Sequence, residues 1–327
     1  MDRKIRWGIL GAGSIAHKFA TGFGGVGDGE LYAVGSRSID KADEFANEYD
    51  IPKRYGSYDE LLLDSDVDAI YVATPHPFHK EHTLLCLNAG KAVLCEKPMA
   101  VNAAEVEEMV ECARKNNVFL MEAMWTRFLP VYCQVEEWLD QGLIGDVRIL
   151  TGDFGFRAGV NPEARLFNPA LAGGALMDVG VYLVSLASLI MKKPPSNIVS
   201  MAHLGETGID EQASMILGYD EGQMAVLYTA IRTNTKHEAR IIGTEGSIYI
   251  PSFWNTTTAV LQVNGQEDKV VDIPHLANGY CFEIKEVNRC IKEGKIQSDR
   301  MPWDESISVI KTLDDIRAQW GLKYPME

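Results

Sequence analysis

Three stretches of this sequence pair reactive side chains with a backbone able to approach a ligand closely. Gly11-Ala12-Gly13-Ser14-Ile15-Ala16 lies between an apolar run, Ile5–Leu10, and a segment of helical spacing, Ser14–Phe23. In a strand–turn–helix unit such a run binds a dinucleotide. Gly11 permits the tight turn, Gly13 lets the backbone near a pyrophosphate, and Ala16 keeps helix and strand close. The N–H groups of Ser14, Ile15 and Ala16 then face the phosphates. At the tip of the second strand an NAD site ordinarily carries an acidic residue for the ribose hydroxyls. Here the stretch is Gly35-Ser36-Arg37-Ser38, with Lys41 a turn later. Ser36 can hydrogen-bond a 2′-phosphate, Arg37 can pair with it and stack on adenine, and Lys41 adds charge. NADP(H) is therefore expected over NAD(H), although Arg37 and Lys41 also suit a solvated surface.

The second stretch, Glu96-Lys97-Pro98, closes the apolar run Lys91–Cys95, on the edge of a parallel sheet where ligands bind. A lysine there can lend charge to an oxygen, and elsewhere it would be read as a plain loop lysine. Thr74-Pro75-His76-Pro77-Phe78-His79 follows the central strand, beneath the nicotinamide half of a bound cofactor. Thr74, Pro75 and His76 are candidate contacts, while His79 is expected to cap or pack at the next helix. The third stretch is Gly173-Gly174-Ala175-Leu176-Met177-Asp178-Val179-Gly180-Val181-Tyr182. Asp178 and Tyr182 are four residues apart and so share one helical face. A carboxylate in so apolar a helix is costly unless it is paired or faces a polar cavity. Alternatively, Asp178 caps the helix start and Tyr182 is packing.

Residues 1–122 alternate strand-like and helix-like runs. After Ser14–Phe23 come Leu31–Gly35, Asp40–Glu48, Ile70–Ala73, Phe78–Ala89, Lys91–Cys95, Asn102–Lys115 and Val118–Met121. Asn102 and Glu105 read as a capping-box variant. The alternation predicts a doubly wound parallel Rossmann sheet. Residues 123–327 read differently. Helical runs at Pro130–Gln141, Ala175–Met191, Phe282–Ile291 and Asp304–Trp320 flank strands at Asp146–Phe156, Ile198–Leu204, Ala213–Tyr219, Met224–Ile231, Ala239–Gly243, Ser247–Ile250 and Ala259–Val263. Asp220-Glu221-Gly222 is a hairpin signal. This half predicts an α+β domain on a large open, mostly antiparallel sheet, one face of which needs cover from a partner subunit.

The formal charge of −15 argues against a nucleic-acid footprint. No apolar run of membrane-spanning length stands out, and the N-terminal residues lack the apolar core of a signal peptide. The six cysteines have no metal-type spacing and suit a reducing, cytoplasmic setting; no metal is expected.

Gly11-Ala12-Gly13, Ala73-Thr74-Pro75, Glu96-Lys97-Pro98 and the Gly173–Tyr182 block together resemble the Gfo/Idh/MocA oxidoreductase family over nearly the whole chain. The resemblance implies a Rossmann domain followed by an α/β domain that many members use to associate. It makes Lys97 the lysine of the EKP motif and Asp178 the aspartate of the second-domain helix. Many members carry a histidine four residues after that aspartate, where this chain has Tyr182. That departure, with Glu122–Phe128 and Ala164–Pro169, is most similar to the dimeric dihydrodiol dehydrogenase branch. There the tyrosine is taken as the acid–base, NADP as the cofactor, and trans-dihydrodiols and aldopyranoses such as xylose as substrates. The same resemblance implies ligand contacts from Trp125, Arg165 and Tyr280, and a homodimer or homotetramer formed through the sheet. The expected reaction is hydride transfer between nicotinamide and a CH–OH group of a sugar, polyol or cyclic trans-diol. Tyr182 or Lys97 would be the proton acceptor, and loops around Arg157–Asn168 and Ile231–Lys236 would set the substrate. A non-catalytic NADP-binding regulator of the same fold, biliverdin-like reduction and glycoside cleavage through transient oxidation are the rival readings.

Overall fold

The computed structural model describes residues 3–327. They form two compact units: the chain up to Trp125 with Leu276–Ile307, and Thr126–His275 with Ser308–Glu327.

The first unit runs β1 (Ile5–Leu10), α1 (Ser14–Gly22), β2 (Gly29–Gly35), α2 (Ile39–Glu48), β3 (Lys53–Tyr55), α3 (Tyr58–Leu63), β4 (Ala69–Val72), α4 (His79–Asn88), β5 (Ala92–Glu96), α5 (Ala103–Asn116) and β6 (Leu120–Ala123). All neighbours in its sheet are parallel, in the order β3-β2-β1-β4-β5-β6. This is the expected doubly wound sheet, and its order reverses between β1 and β4, where a ligand crevice opens. Every residue of β4 is buried, as a strand covered on both faces requires. β3 and α3 are additions to the sequence reading. β3 is too short to display a period, and α3 is announced only by the cap at Ser57, which accepts from Glu60 N. Before α5, Asn102 Oδ1 accepts from Glu105 N, and Glu105 Oε2 accepts from Val101 N, one residue earlier than in a standard capping box.

The second unit runs α6 (Pro130–Asp140), β7 (Val147–Gly155), a π turn at Leu176–Gly180 leading into α7 (Val181–Met191), then β8 (Asn197–Leu204), β9 (Asp210–Gly218), β10 (Met224–Ala230), β11 (Ala239–Gly243), β12 (Gly246–Ile250), β13 (Thr258–Val263) and β14 (Lys269–Asp272). Its eight strands lie in the order β14-β13-β12-β11-β7-β10-β9-β8. Only β7 and β10 pair in parallel, so the sheet is mostly antiparallel. Ala213, Met215, Leu217, Leu227, Leu150 and Ile241 point to the buried face. α7 rides over β7 at Gly152, where a Cβ would stand 3.0 Å from Leu183 Cδ2. The stretch Pro169–Met191 is long and apolar enough to pass for a membrane span, which the sequence reading did not notice. In its most apolar 18-residue window 83% of the residues are buried within the fold, as in a core helix.

The chain ends with α8 (Cys281–Lys292) and α9 (Trp303–Trp320). The sequence reading divides the chain once, after residue 122, whereas here Leu276–Ile307 packs with the first unit. Trp7 Nε1 donates to Asn288 Oδ1, Asn288 Nδ2 donates to Asp28, and Lys292 pairs with Asp28 at 2.8 Å. No local pattern in α8 foretells these distant polar partners.

Candidate functional site

In the first unit the motif residues gather at the carboxyl edge of the sheet. Gly11 adopts φ +100°, and a Cβ there would stand 3.2 Å from Thr74 Cγ2. The turns after β1 and β4 thus face one another across the switch point. α1 starts at Ser14 with no side-chain cap and no acidic residue in its first turn; Ala16 N donates to Gly13 O at 3.0 Å, and the N–H groups of Ser14 and Ile15 are left to an anion. This cradle fits a dinucleotide pyrophosphate. At the tip of β2, Ser36 is buried, while Arg37 and Lys41 are exposed. Burial lowers the His82 pKa, and the nearby Arg37 charge adds to the effect.

The Lys97–Pro98 peptide is cis. Lys97 N donates to Glu96 Oε2 at 3.1 Å, and Glu96 Oε1 accepts from the hydroxyl of Tyr71, whose ring stacks on Phe19. The fully buried His79 places its ring nitrogens 2.7 Å from Thr74 O and 2.8 Å from Pro98 O. It ties the Thr74 and Lys97 loops together, in line with its expected packing role; burial pushes its pKa down to about 4, against the two carbonyls, which favour the charged ring because a neutral one donates to only one of them. His76 is also buried, with its ring 5.6 Å from that of His79. Trp125 and Tyr280 stack at 4.7 Å, bringing two expected ligand contacts together. Glu283, in the first turn of α8, is an unforeseen feature. It is fully buried, and neither carboxyl oxygen has a hydrogen-bond partner among the described residues. Burial holds it well above the usual carboxylate range, and the charge of Glu96 adds to the shift.

In the second unit, Asp178 lies on the π turn, so the simple α-helical face shared with Tyr182 does not apply. Such turns recur at functional sites. Asp178 Oδ1 accepts from Arg165 Nη2 at 2.7 Å, a pairing that spacing alone does not reveal. Arg165 Nη1 is buried without a partner among the described residues, so the guanidinium keeps donor capacity for a ligand. The N-terminal cap considered for Asp178 is supplied by Asp210, which accepts from Leu176 N at 2.7 Å. Tyr182 is 7% exposed, with the Phe154 ring 5.6 Å from its own. Phe154 in turn stacks on Trp254 at 5.2 Å and meets His237 at 4.8 Å. This aromatic wall has no local signature in the sequence, because its members come from β7 and from two loops. The two loops expected to set the substrate pair with each other through a bridge between Arg157 and Arg232, and Arg232 binds Glu211 at 3.1 Å.

Residues 5–124 match the family described as oxidoreductase, NAD-binding Rossmann fold, and residues 132–249 match the GFO/IDH/MocA C-terminal domain. The trans-1,2-dihydrobenzene-1,2-diol dehydrogenase of Mus musculus is 41% identical over 334 residues, covering 99% of both chains. That of Xenopus tropicalis is 40% identical, covering 98% of this chain and 99% of its own. Among solved structures, the aldose-aldose oxidoreductase of Caulobacter crescentus superposes with a TM-score of 0.89 at 25% identity, over 98% of this chain and 99% of that one. A 3-ketoreductase from Actinomadura kijaniata shares the fold, with a TM-score of 0.87 at 24% identity over 97% and 98% of the two chains. The chain is an NAD(P)-dependent enzyme of the Gfo/Idh/MocA oxidoreductase family.

Proposed function

We propose that this enzyme uses NADP(H) to interconvert a CH–OH group of a cyclic trans-diol, sugar or polyol with the corresponding carbonyl, with Tyr182 as the acid–base. The observation that carries the reading is Tyr182 itself. It is a phenol in the first turn of α7, directly after the π turn that bears Asp178, and it lies against the Phe154–Trp254 aromatic stack. An aromatic wall suits the apolar face of a ring substrate, and the Arg165–Asp178 pair suits its hydroxyls. The bound nicotinamide would accept or supply the hydride. Gly11, Gly13, Ser14, Ile15 and Ala16 would hold the pyrophosphate, and Ser36, Arg37 and Lys41 the 2′-phosphate. Thr74, Pro75, His76, Glu96, Trp125 and Tyr280 would line the rest of the cofactor's path.

Tyr182 takes the alcohol proton during oxidation and returns one to the carbonyl during reduction. An ordinary phenol, with a pKa of about 10, is a weak base at neutral pH. Lys97, the lysine of the EKP motif, is the other candidate for the proton acceptor. The homologous dehydrogenases of Mus musculus and Xenopus tropicalis favour a trans-dihydrodiol as the first substrate to try. The six free cysteines suit a reducing cytoplasm. The outer face of the second sheet is proposed to bind a second copy of the chain. The test is a screen of NADP⁺ and NAD⁺ reduction over trans-1,2-dihydrobenzene-1,2-diol, aldoses and inositols. Turnover of a diol or sugar with NADP⁺ is expected. Tight NADPH binding with no turnover of any of them would instead favour a regulator.

A further inference from the structure

We propose that Asp210 and Tyr324 are positioning residues for the acid–base helix. From two distant parts of the second unit they hold Gly173–Leu176, the backbone that leads into Asp178 and Tyr182. The inference rests on the roles given above to those two side chains.

The turn needs outside support, because its own residues offer none. Gly173, Gly174 and Ala175 have no side chain able to cap a helix, and the π turn starts without a cap from its own segment. The first N–H groups of a helix have no partner within it, and burying them unpaired is costly. Asp210, the first residue of β9, is fully buried and accepts from Leu176 N through Oδ2 at 2.7 Å. Its carboxyl packs so close that position 174 admits only glycine. The φ of Gly174 is +120°, and a Cβ there would stand 2.2 Å from Asp210 Oδ1.

Tyr324 supports the adjoining residue of the turn. Its hydroxyl donates to Gly173 O at 2.8 Å, and the residue is 2% exposed. Arg317 fixes Tyr324 in turn. The guanidinium carbon lies 4.8 Å from the ring centroid of Tyr324, and both terminal nitrogens bind Glu327, at 2.8 and 2.9 Å. Glu327 Oε2 also accepts from Tyr324 N at 2.8 Å. The turn has no room to move away from these supports. A Cβ at Gly173 would stand 2.6 Å from the carbonyl oxygens of Arg165 and Leu166. Any shift of Gly173–Leu176 therefore disturbs the Arg165–Asp178 pair together with the start of α7, where Tyr182 is the second residue.

The test compares Asp210→Ala, Asp210→Asn and Tyr324→Phe with the wild type, in the full-length enzyme at pH 8. That pH lies above the value of about 7 to which burial pushes Asp210, whose charged and titratable neighbours include Arg317 and Tyr324. With NADP⁺ and trans-1,2-dihydrobenzene-1,2-diol, Asp210→Ala and Tyr324→Phe should lower kcat about ten- to a hundredfold, the scale of a small misplacement of reacting groups. KM for NADP⁺ should stay within about twofold, since no cofactor-binding group is touched. Asp210→Asn keeps an oxygen to accept from Leu176 N and should recover most of kcat. Hydrogen exchange provides a readout independent of substrate: amides 174–182 should exchange faster in Asp210→Ala and Tyr324→Phe. Unchanged kcat, kcat loss without faster exchange at the turn, or an Asp210→Asn enzyme no better than Asp210→Ala overturns the proposal. If the wild type turns over neither the diol nor D-xylose, the functional reading fails and the exchange data alone decide. Faster exchange confined to the turn supports the positioning role, and unchanged exchange overturns it.

Discussion

At the tip of β2, the buried Ser36 sits beside two exposed cations, Arg37 and Lys41, where an NAD enzyme would place a carboxylate. A charge-assisted bond from Arg37 to a 2′-phosphate is worth about 1.5–3 kcal/mol, or roughly ten- to a hundredfold in affinity. Arg37→Ala should therefore raise KM for NADP⁺ by that factor and leave KM for NAD⁺ nearly unchanged. Equal effects on both cofactors would remove Arg37 from phosphate recognition. Glu283 gives a second prediction at this scale, with a defined sign. The unfolded carboxyl ionises above about pH 4.3, while the folded one keeps its proton to a much higher pH. Unfolding thus releases a proton between those values, and stability falls by about 1.4 kcal/mol per pH unit across that window. Glu283→Gln has no proton to release, so its stability advantage over the wild type should grow between pH 5 and pH 8 in urea titrations. An advantage that does not change with pH would mean that Glu283 is ionised in the folded enzyme.

The elements explain which of these sites could be read from sequence. Gly11-Ala12-Gly13 is legible because the fingerprint is local: one turn between one strand and one helix. Lys97 is legible because it sits between a strand edge and a proline. The partner of Asp178 was not, since Arg165 comes from a separate short helix, and spacing says nothing about contacts across loops. Nor was the π turn, because Leu176–Gly180 is apolar except for Asp178 and its pattern does not distinguish a π from an α repeat. β3 and β14 escaped notice because each is too short to show alternation. α8 was legible as a helix but not as part of the first unit, which depends on Asn288 meeting Trp7 and Asp28. At Gly152, where a Cβ would stand 3.0 Å from Leu183, α7 lies close over β7. Gly152→Val should push α7 off the sheet and cost about 1–3 kcal/mol, the usual penalty of overpacking. A melting temperature equal to the wild type's would show that α7 adjusts without strain.

On the scale of the whole molecule, the second sheet leaves one face in solvent. Met201 is 77% exposed and Val199 59%, and register carries this apolar surface across from Val199 through Ile216 to Val226. Tyr228 extends it along β10 at 45% exposure. A row of apolar side chains across three neighbouring strands is uncommon on a free monomer surface and marks an association site. The proposed self-association predicts that the wild type sediments as a dimer or larger, and that the double substitution Met201→Glu and Val226→Glu shifts it toward monomer at micromolar concentration. A wild-type monomer would contradict this reading of the face.

The functional account depends on Tyr182 handling the substrate proton, and single-turnover reduction of NADP⁺ by trans-1,2-dihydrobenzene-1,2-diol in Tyr182→Phe tests that most directly. Loss of a positioned acid–base should slow the chemical step by about 10²–10⁴-fold while NADPH binds as in the wild type. A Tyr182→Phe enzyme that reduces NADP⁺ at the wild-type rate would contradict it.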